Sequence, residues 1–217
     1  DEQGRKFQYA VRFRKQGAAW QYATSGSYQG RLEGEKITLI DLNNNGVYND
    51  YGVDAMIVGK SKAAGYLSRV VNLKGNLFNL EVEASGRTVS ATPYTGEVGT
   101  LDIRNGFKSY GQLVSAVVSN DEGDVSFDVA RAKKGLKVPA GDYRLTGGYC
   151  VKGSETARIR QGTMKPLTVK AGDTAALTWG APLTVDFKYT IEGETIKVPP
   201  PPANVKYYGA AGEEYYD

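Results

Sequence analysis

Phe78-Asn79-Leu80-Glu81-Val82-Glu83-Ala84-Ser85-Gly86-Arg87-Thr88-Val89-Ser90-Ala91-Thr92 decides the fold class. Phe78, Leu80, Val82 and Ala84 alternate with Asn79, Glu81 and Glu83, and a period of two sends the two sets to opposite faces of a strand. Ser85-Gly86-Arg87 supplies a turn, and the β-branched Thr88, Val89 and Thr92 suit a returning strand. The stretch predicts a hairpin with one face buried.

The same alternation runs outward in both directions. Towards the N-terminus it shows in Phe7, Tyr9, Val11 and Phe13, in Trp20 and Tyr22, in Ile37 and Leu39, and in Met56 and Val58. Towards the C-terminus it returns in Leu101 and Ile103, across 112–119, in Val125, Phe127 and Val129, and in Leu183, Val185, Phe187 and Tyr189. No stretch repeats at the helical period. Short strands separated by glycine turns predict an all-β chain, with an antiparallel sandwich or barrel in each half. Pro93 and Thr95-Gly96-Glu97-Val98-Gly99 interrupt the pattern. A domain boundary is expected there, giving one domain over 1–97, a second over 98–198, and a Pro- and Tyr-rich tail over 199–217. Pro199 to Pro202 favour a stiff polyproline II rod. The tyrosine-bearing segment after them reads equally as a docking strand, the start of a further domain, or a disordered end.

In the second half, Val138-Pro139-Ala140-Gly141-Asp142-Tyr143 and Val169-Lys170-Ala171-Gly172-Asp173-Thr174 echo each other. In each a strand ends, Ala-Gly-Asp turns the chain, and an alternating strand begins. This phrasing resembles the immunoglobulin-like and carboxypeptidase-regulatory-type sandwiches of bacterial secreted proteins. The resemblance implies two antiparallel β-sandwich (Ig-like) domains in tandem.

Composition narrows the chemistry. At 217 residues, with 41% hydrophobic and 24% charged, the chain has apolar surface enough for a core. A net charge of +3 is too small to imply a nucleic-acid partner, and the basic run 131–137 is expected to be a solvated loop before a strand. The chain contains no histidine, which removes the commonest general base and every Ser-His or Cys-His nucleophile pair. The single Cys150 permits no intrachain disulfide and is expected to be a small buried apolar residue. The chain is therefore expected not to be an enzyme. No run approaches the roughly 18 apolar residues of a membrane span. The chain does not open on a signal peptide, so a secreted protein is expected here in mature or trimmed form.

One segment specifies chemistry: Asp41-Leu42-Asn43-Asn44-Asn45-Gly46-Val47-Tyr48-Asn49-Asp50-Tyr51-Gly52-Val53-Asp54. Oxygen-bearing side chains recur at alternate positions, a glycine follows the third, and further carboxylates come soon after. Hard cations such as calcium take six to eight oxygens, and a short loop supplies them by turning alternate side chains inward. Asp and Asn also favour plain turns by bonding their own backbone. A plain turn needs one Asn-Gly, however, and not a series of evenly placed oxygen donors. The loop resembles those of EF-hands, dockerins and thrombospondin type 3 repeats. Asp41, Asn43 and Asn45 match the first, third and fifth positions, Gly46 the sixth, and Val47 the backbone-carbonyl position. The twelfth position, a bidentate glutamate in an EF-hand, is Gly52, which leaves Asp50 or Asp54 to close the site. The implied ligand is Ca²⁺, bound weakly, with Kd of order 10⁻⁴–10⁻³ M as in extracellular modules. The flanking segments are strand-like, so no EF-hand helix pair is expected.

These observations predict a calcium-stabilised extracellular or cell-surface structural protein. Two alternatives stand beside it. One is a filament subunit that exchanges its terminal segments as strands with neighbouring copies or tandem domains. The other is a carbohydrate-binding module stacking a glycan on Trp20, Trp179 or tyrosines.

Overall fold

Strands that alternate in this way bury their apolar faces only by stacking against other layers. A computed structural model describes residues 11–24, 26–61, 63–198 and 205–216. Every helix-or-strand element among these residues is a β-strand, as the alternation predicts.

In the first half, β1 (Val11–Gln16) and β2 (Ala19–Thr24) form a two-stranded ribbon. β3 (Ser27–Leu32), β4 (Glu35–Ile40), β5 (Ala55–Val58) and β6 (Gly65–Tyr66) follow as an antiparallel sheet in chain order. β7 (Val70–Leu73), β8 (Asn76–Val82) and β9 (Val89–Pro93) make a meander. The expected hairpin is its β8–β9 pair, closed by Val82 opposite Val89. Leu80 and Val82 of β8 are buried while Asn79 and Glu81 are exposed. With Ile37, Leu39, Leu67 and Leu73 they form one hydrophobic core.

The second half adds β10 (Val98–Asp102), β11 (Phe107–Lys108), β12 (Gln112–Asn120), β13 (Ser126–Asp128), β14 (Leu136–Pro139) and β15 (Gly141–Lys152). After these come β16 (Glu155–Arg160), β17 (Leu167–Val169), β18 (Thr174–Ala176), β19 (Trp179–Gly180) and β20 (Thr184–Phe187). The chain ends in β21 (Thr190–Glu192), β22 (Thr195–Lys197), β23 (Val205–Tyr208) and β24 (Glu214–Tyr216). The largest sheet is antiparallel, in the order β13-β12-β15-β16-β24-β23-β20, with β17 also on β15. Two short pairs, β10–β18 and β11–β19, are parallel.

A second core gathers Leu101, Ile103, Val118, Val138, Tyr143 and Trp179. Its two large polar-tipped rings are satisfied: Trp179 Nε1 donates to the Ile103 carbonyl (2.6 Å) and Tyr143 OH to that of Pro139 (2.9 Å). Val70 and Leu77 of the meander join this second core, so the β7–β9 sheet serves both. Polar ties reinforce that junction. The Ser126 amide donates to Ser68 Oγ (3.0 Å), and Asp128 accepts from the Ala116 amide (3.0 Å) and from Ser61 Oγ (3.3 Å).

Residues 205–216 of the tail dock as strands, with β24 on β16 and β23 between β24 and β20. Pro199 to Pro202, like Phe7 and Tyr9, lie outside the described residues. A buried carboxylate fastens the docked segment. Glu213 is fully buried and accepts from the Gly180 amide (2.6 Å), the Ala211 amide (3.1 Å) and Tyr215 OH (3.1 Å). Gly209 must be glycine, because a Cβ there would overlap the Glu213 carboxyl.

Candidate metal loop

The register of β4 on β5 pairs Ile40 with Ala55. The next residues outward, Asp41 and Asp54, therefore stand at the two ends of the intervening loop. Both carboxylates are withdrawn from solvent, at 0% and 1% exposure. A carboxylate so placed must collect hydrogen bonds or lose several kcal/mol of solvation. Asp54 ties the loop across: Oδ1 accepts from the Leu42 amide (3.1 Å) and Oδ2 from the Asp50 amide (3.1 Å).

Asp41 organises the other side of the loop. Its Oδ1 accepts from the Asn45 amide (3.3 Å) and its Oδ2 from the Gly46 amide (2.8 Å). The chain wraps the carboxylate by passing through left-handed conformations at Asn44 (φ 61) and Gly46 (φ 85). Glycine tolerates this geometry without cost, and asparagine does so better than most residues. Asn43 and Asn45 each accept from a backbone amide two residues on, at Asn45 (3.2 Å) and Val47 (2.9 Å). These are the turn bonds expected of Asn in a tight loop. Val47 sits half-buried in mid-loop.

The opposite end of each amide does something further. Asn43 Nδ2 (2.7 Å) and Asn45 Nδ2 (2.6 Å) converge on one oxygen, Asp50 Oδ2. All six residues expected to hold the ion thus lie in one loop, and the side chains of Asn43, Asn45 and Asp50 touch directly. Burial pushes the Asp54 carboxyl up to about 6, with the charges of Asp50 and Asp41 adding to the effect and the two amides opposing it. Asn44 Oδ1 is buried and accepts no hydrogen bond. Among the described residues, no three His, Cys, Asp or Glu side chains form a ready-made metal cage. The three aspartates are spaced by amides, and the remaining oxygens belong to asparagines.

No family model, curated protein or solved structure matches this chain.

Two features of the loop are invisible to local spacing. Tyr51 pins it to β8: its OH donates to the Leu80 carbonyl (3.1 Å) and accepts from the Val82 amide (3.0 Å). The Arg69 guanidinium lies 4.2 Å from the Tyr51 ring centroid. Gly52 explains the departure from the EF-hand pattern. It has φ 76, and a Cβ there would run into the Gly123 carbonyl oxygen on the turn after β12. The position is needed for close backbone packing, so it cannot carry a closing ligand. The tyrosine and glycine are plain in the sequence, but their long-range partners are not.

Proposed function

We propose that this chain is a non-enzymatic structural module of the extracellular space or cell surface, whose β4–β5 loop binds calcium. Asp41, Asn43, Asn45 and the Val47 carbonyl would hold the ion, with Asp50 and Asp54 as closing carboxylates. The observation that carries the reading is the burial of two carboxylates, Asp41 and Asp54, in the loop that also holds Asp50. Two details support it. Asn44 Oδ1 is an oxygen left without a donor, and two amide N–H groups crowd a single Asp50 oxygen as though supplying positive charge. An all-oxygen, carboxylate-and-carbonyl set suits a hard cation and offers nothing to a soft one. When bound, the ion would neutralise the carboxylates and brace the ends of β4 and β5. We also read the chain as tandem Ig-like sandwich domains, 1–97 and 98–198, joined where the β7–β9 sheet packs into both hydrophobic cores.

The neutral asparagines keep the expected affinity weak, in the range served by millimolar extracellular calcium. At that concentration the linkage is worth about 0.5–1.5 kcal/mol, or about 2–5 °C in melting temperature for a chain of this size. Calorimetric melts in calcium and in chelator test it. The calcium trace should melt higher, and Asp50→Asn, which leaves both Asp41 turn bonds intact, should shrink the gap. Superimposable wild-type traces would remove the metal.

A further inference from the structure

Away from the metal loop, the two halves of the fold enclose a cavity of about 340 Å³. β5, β6 and β7 supply one side, and β13 with the segment after it supplies the other. Small-ligand sites have this size and favour such junctions. Met56, Val58, Val71 and Phe127 line the cavity, and each belongs to or packs against one of the two hydrophobic cores. The walls are therefore apolar and firmly held.

A few polar groups converge on this apolar space. Ser126 and Asp128 stand two apart on β13, so they share one face of the strand, and both line the cavity. The two oxygens of Asp128 are served unequally. Oδ1 accepts from the Ala116 amide (3.0 Å) and the Ala130 amide (3.1 Å). Oδ2 meets only Ser61 Oγ (3.3 Å), whose single proton lies closer to the Ala63 carbonyl (2.9 Å). Oδ2 thus keeps acceptor capacity to spare. Burial pushes the Asp128 carboxyl up, against its hydrogen bonds and the charge of Arg131. Ser126 is 5% exposed, and its Oγ is buried with no hydrogen-bond partner. Two polar atoms on one face therefore lack the donors that buried groups ordinarily find.

The exposed side of the cavity is cationic. Arg131 and Lys60 both line it, and neither forms an ion pair among the described residues. Arg131 spends one of its five N–H donors on the Lys60 carbonyl, which draws the two residues together. The cavity thus presents two cations and one carboxylate. A simple cation would be repelled at the entrance, and a simple anion would face Asp128 unanswered. A molecule carrying both charges answers both.

We propose that this cavity binds a free α-amino acid with an apolar side chain. The ammonium group sits on Asp128 Oδ2, the carboxylate lies at Arg131 and Lys60, and the side chain packs among Met56, Val58, Val71 and Phe127. This goes beyond the calcium reading and does not depend on it. Because both halves line the cavity, the ligand also braces their junction.

The test titrates L-leucine into the full chain by calorimetry, with chelator present throughout so that the metal loop plays no part. Saturable binding is expected, with Kd below about 1 mM. Two leucine analogues each lack one charge: 3-methylbutylamine has no carboxylate and 4-methylpentanoate has no ammonium. Each should bind at least about tenfold more weakly. Asp128→Asn keeps an oxygen for the Ala116 and Ala130 amides, and Arg131→Gln changes an exposed residue, so circular dichroism should show both folded. Both variants should lose leucine binding by about tenfold or more. In amide NMR spectra of the wild type, leucine should move the signals of Ser61, Gly65 and Asp128. No saturable binding would overturn the proposal, as would an analogue that binds as well as leucine. Full affinity in either folded variant, or shifts confined to residues outside the cavity, would overturn it too.

Discussion

Two acid-rich loops of this protein lie against each other and manage their charge in opposite ways. The turn 120–124 gives two of its three carboxylates to arginines, Asp124 to Arg69 (2.9 Å) and Asp121 to Arg144 (2.6 Å), while Glu122 accepts from the Asn120 amide (2.9 Å). The loop 41–54 surrounds Asp50 and Asp54 with amides instead. An arginine supplies a full positive charge, whereas an amide supplies only a dipole. The turn therefore has two of its three negative charges answered by full positive charges, while Asp50 and Asp54 of the loop are answered by dipoles alone. Burial sharpens the contrast: Asp54 is 1% exposed, whereas the Asp121 side chain is 52% exposed.

Gly52 offers the hardest break of this comparison, since the two loops meet there. Restoring the EF-hand pattern with Gly52→Glu would, on spacing alone, add a closing ligand. In this fold it forces a side chain into a left-handed conformation and against the Gly123 carbonyl. We expect a loss of about 3–5 kcal/mol and no gain in calcium affinity. Denaturant unfolding and calcium titration of the variant check both statements.

Acidity comes next in size. Asp54 ordinarily titrates at 3.8 and is pushed up to about 6 in the fold, by burial first and by Asp50 and Asp41 second. The folded chain thus holds this proton more tightly than the unfolded one. Between about pH 4 and 6 the native state binds more protons, so stability falls as pH rises through that window and the cost is complete above it. The effect is on the order of 2 kcal/mol. In chelator, the pH 5 minus pH 7 difference in unfolding free energy should be more positive for the wild type than for Asp54→Asn. Calcium should lessen that difference, because it favours the ionised carboxylate that the proton would otherwise quench.

The legibility of these features follows from their range along the chain. The hairpin around Ser85-Gly86-Arg87 and the placing of the 41–54 loop between two strands rest on alternation and turn chemistry within a few residues, and both are present. The contact of Gly52 with Gly123, the pairing of β24 with β16 and the bonds that hold Glu213 join distant segments, and local pattern carries no record of them. Alternation also misleads in one respect. It marks Leu183 to Tyr189 as one two-faced strand, whereas β20 ends at Phe187 and, among the described residues, Leu183, Val185, Phe187 and Tyr189 all stand about half exposed. Trp20 and Trp179 show the same limit, since both sit in alternating strands while one is exposed and the other lies in the core.

The smallest effect separates the two arginines that serve the turn. Arg144 pairs with Asp121 where both side chains are well exposed, and water screens such a pair almost completely. Arg69 pairs with Asp124 and also lies over the Tyr51 ring, which in turn holds the loop to β8. Its guanidinium therefore reaches both loops, while that of Arg144 serves only the turn. Arg69→Ala should cost about 1 kcal/mol and lower calcium affinity slightly, through loosening of Tyr51. Arg144→Ala should leave both the melt and the calcium titration where they were. If the two variants behaved alike in the titration, the loop would draw nothing from its neighbour, and the contact at Gly52 would be packing alone.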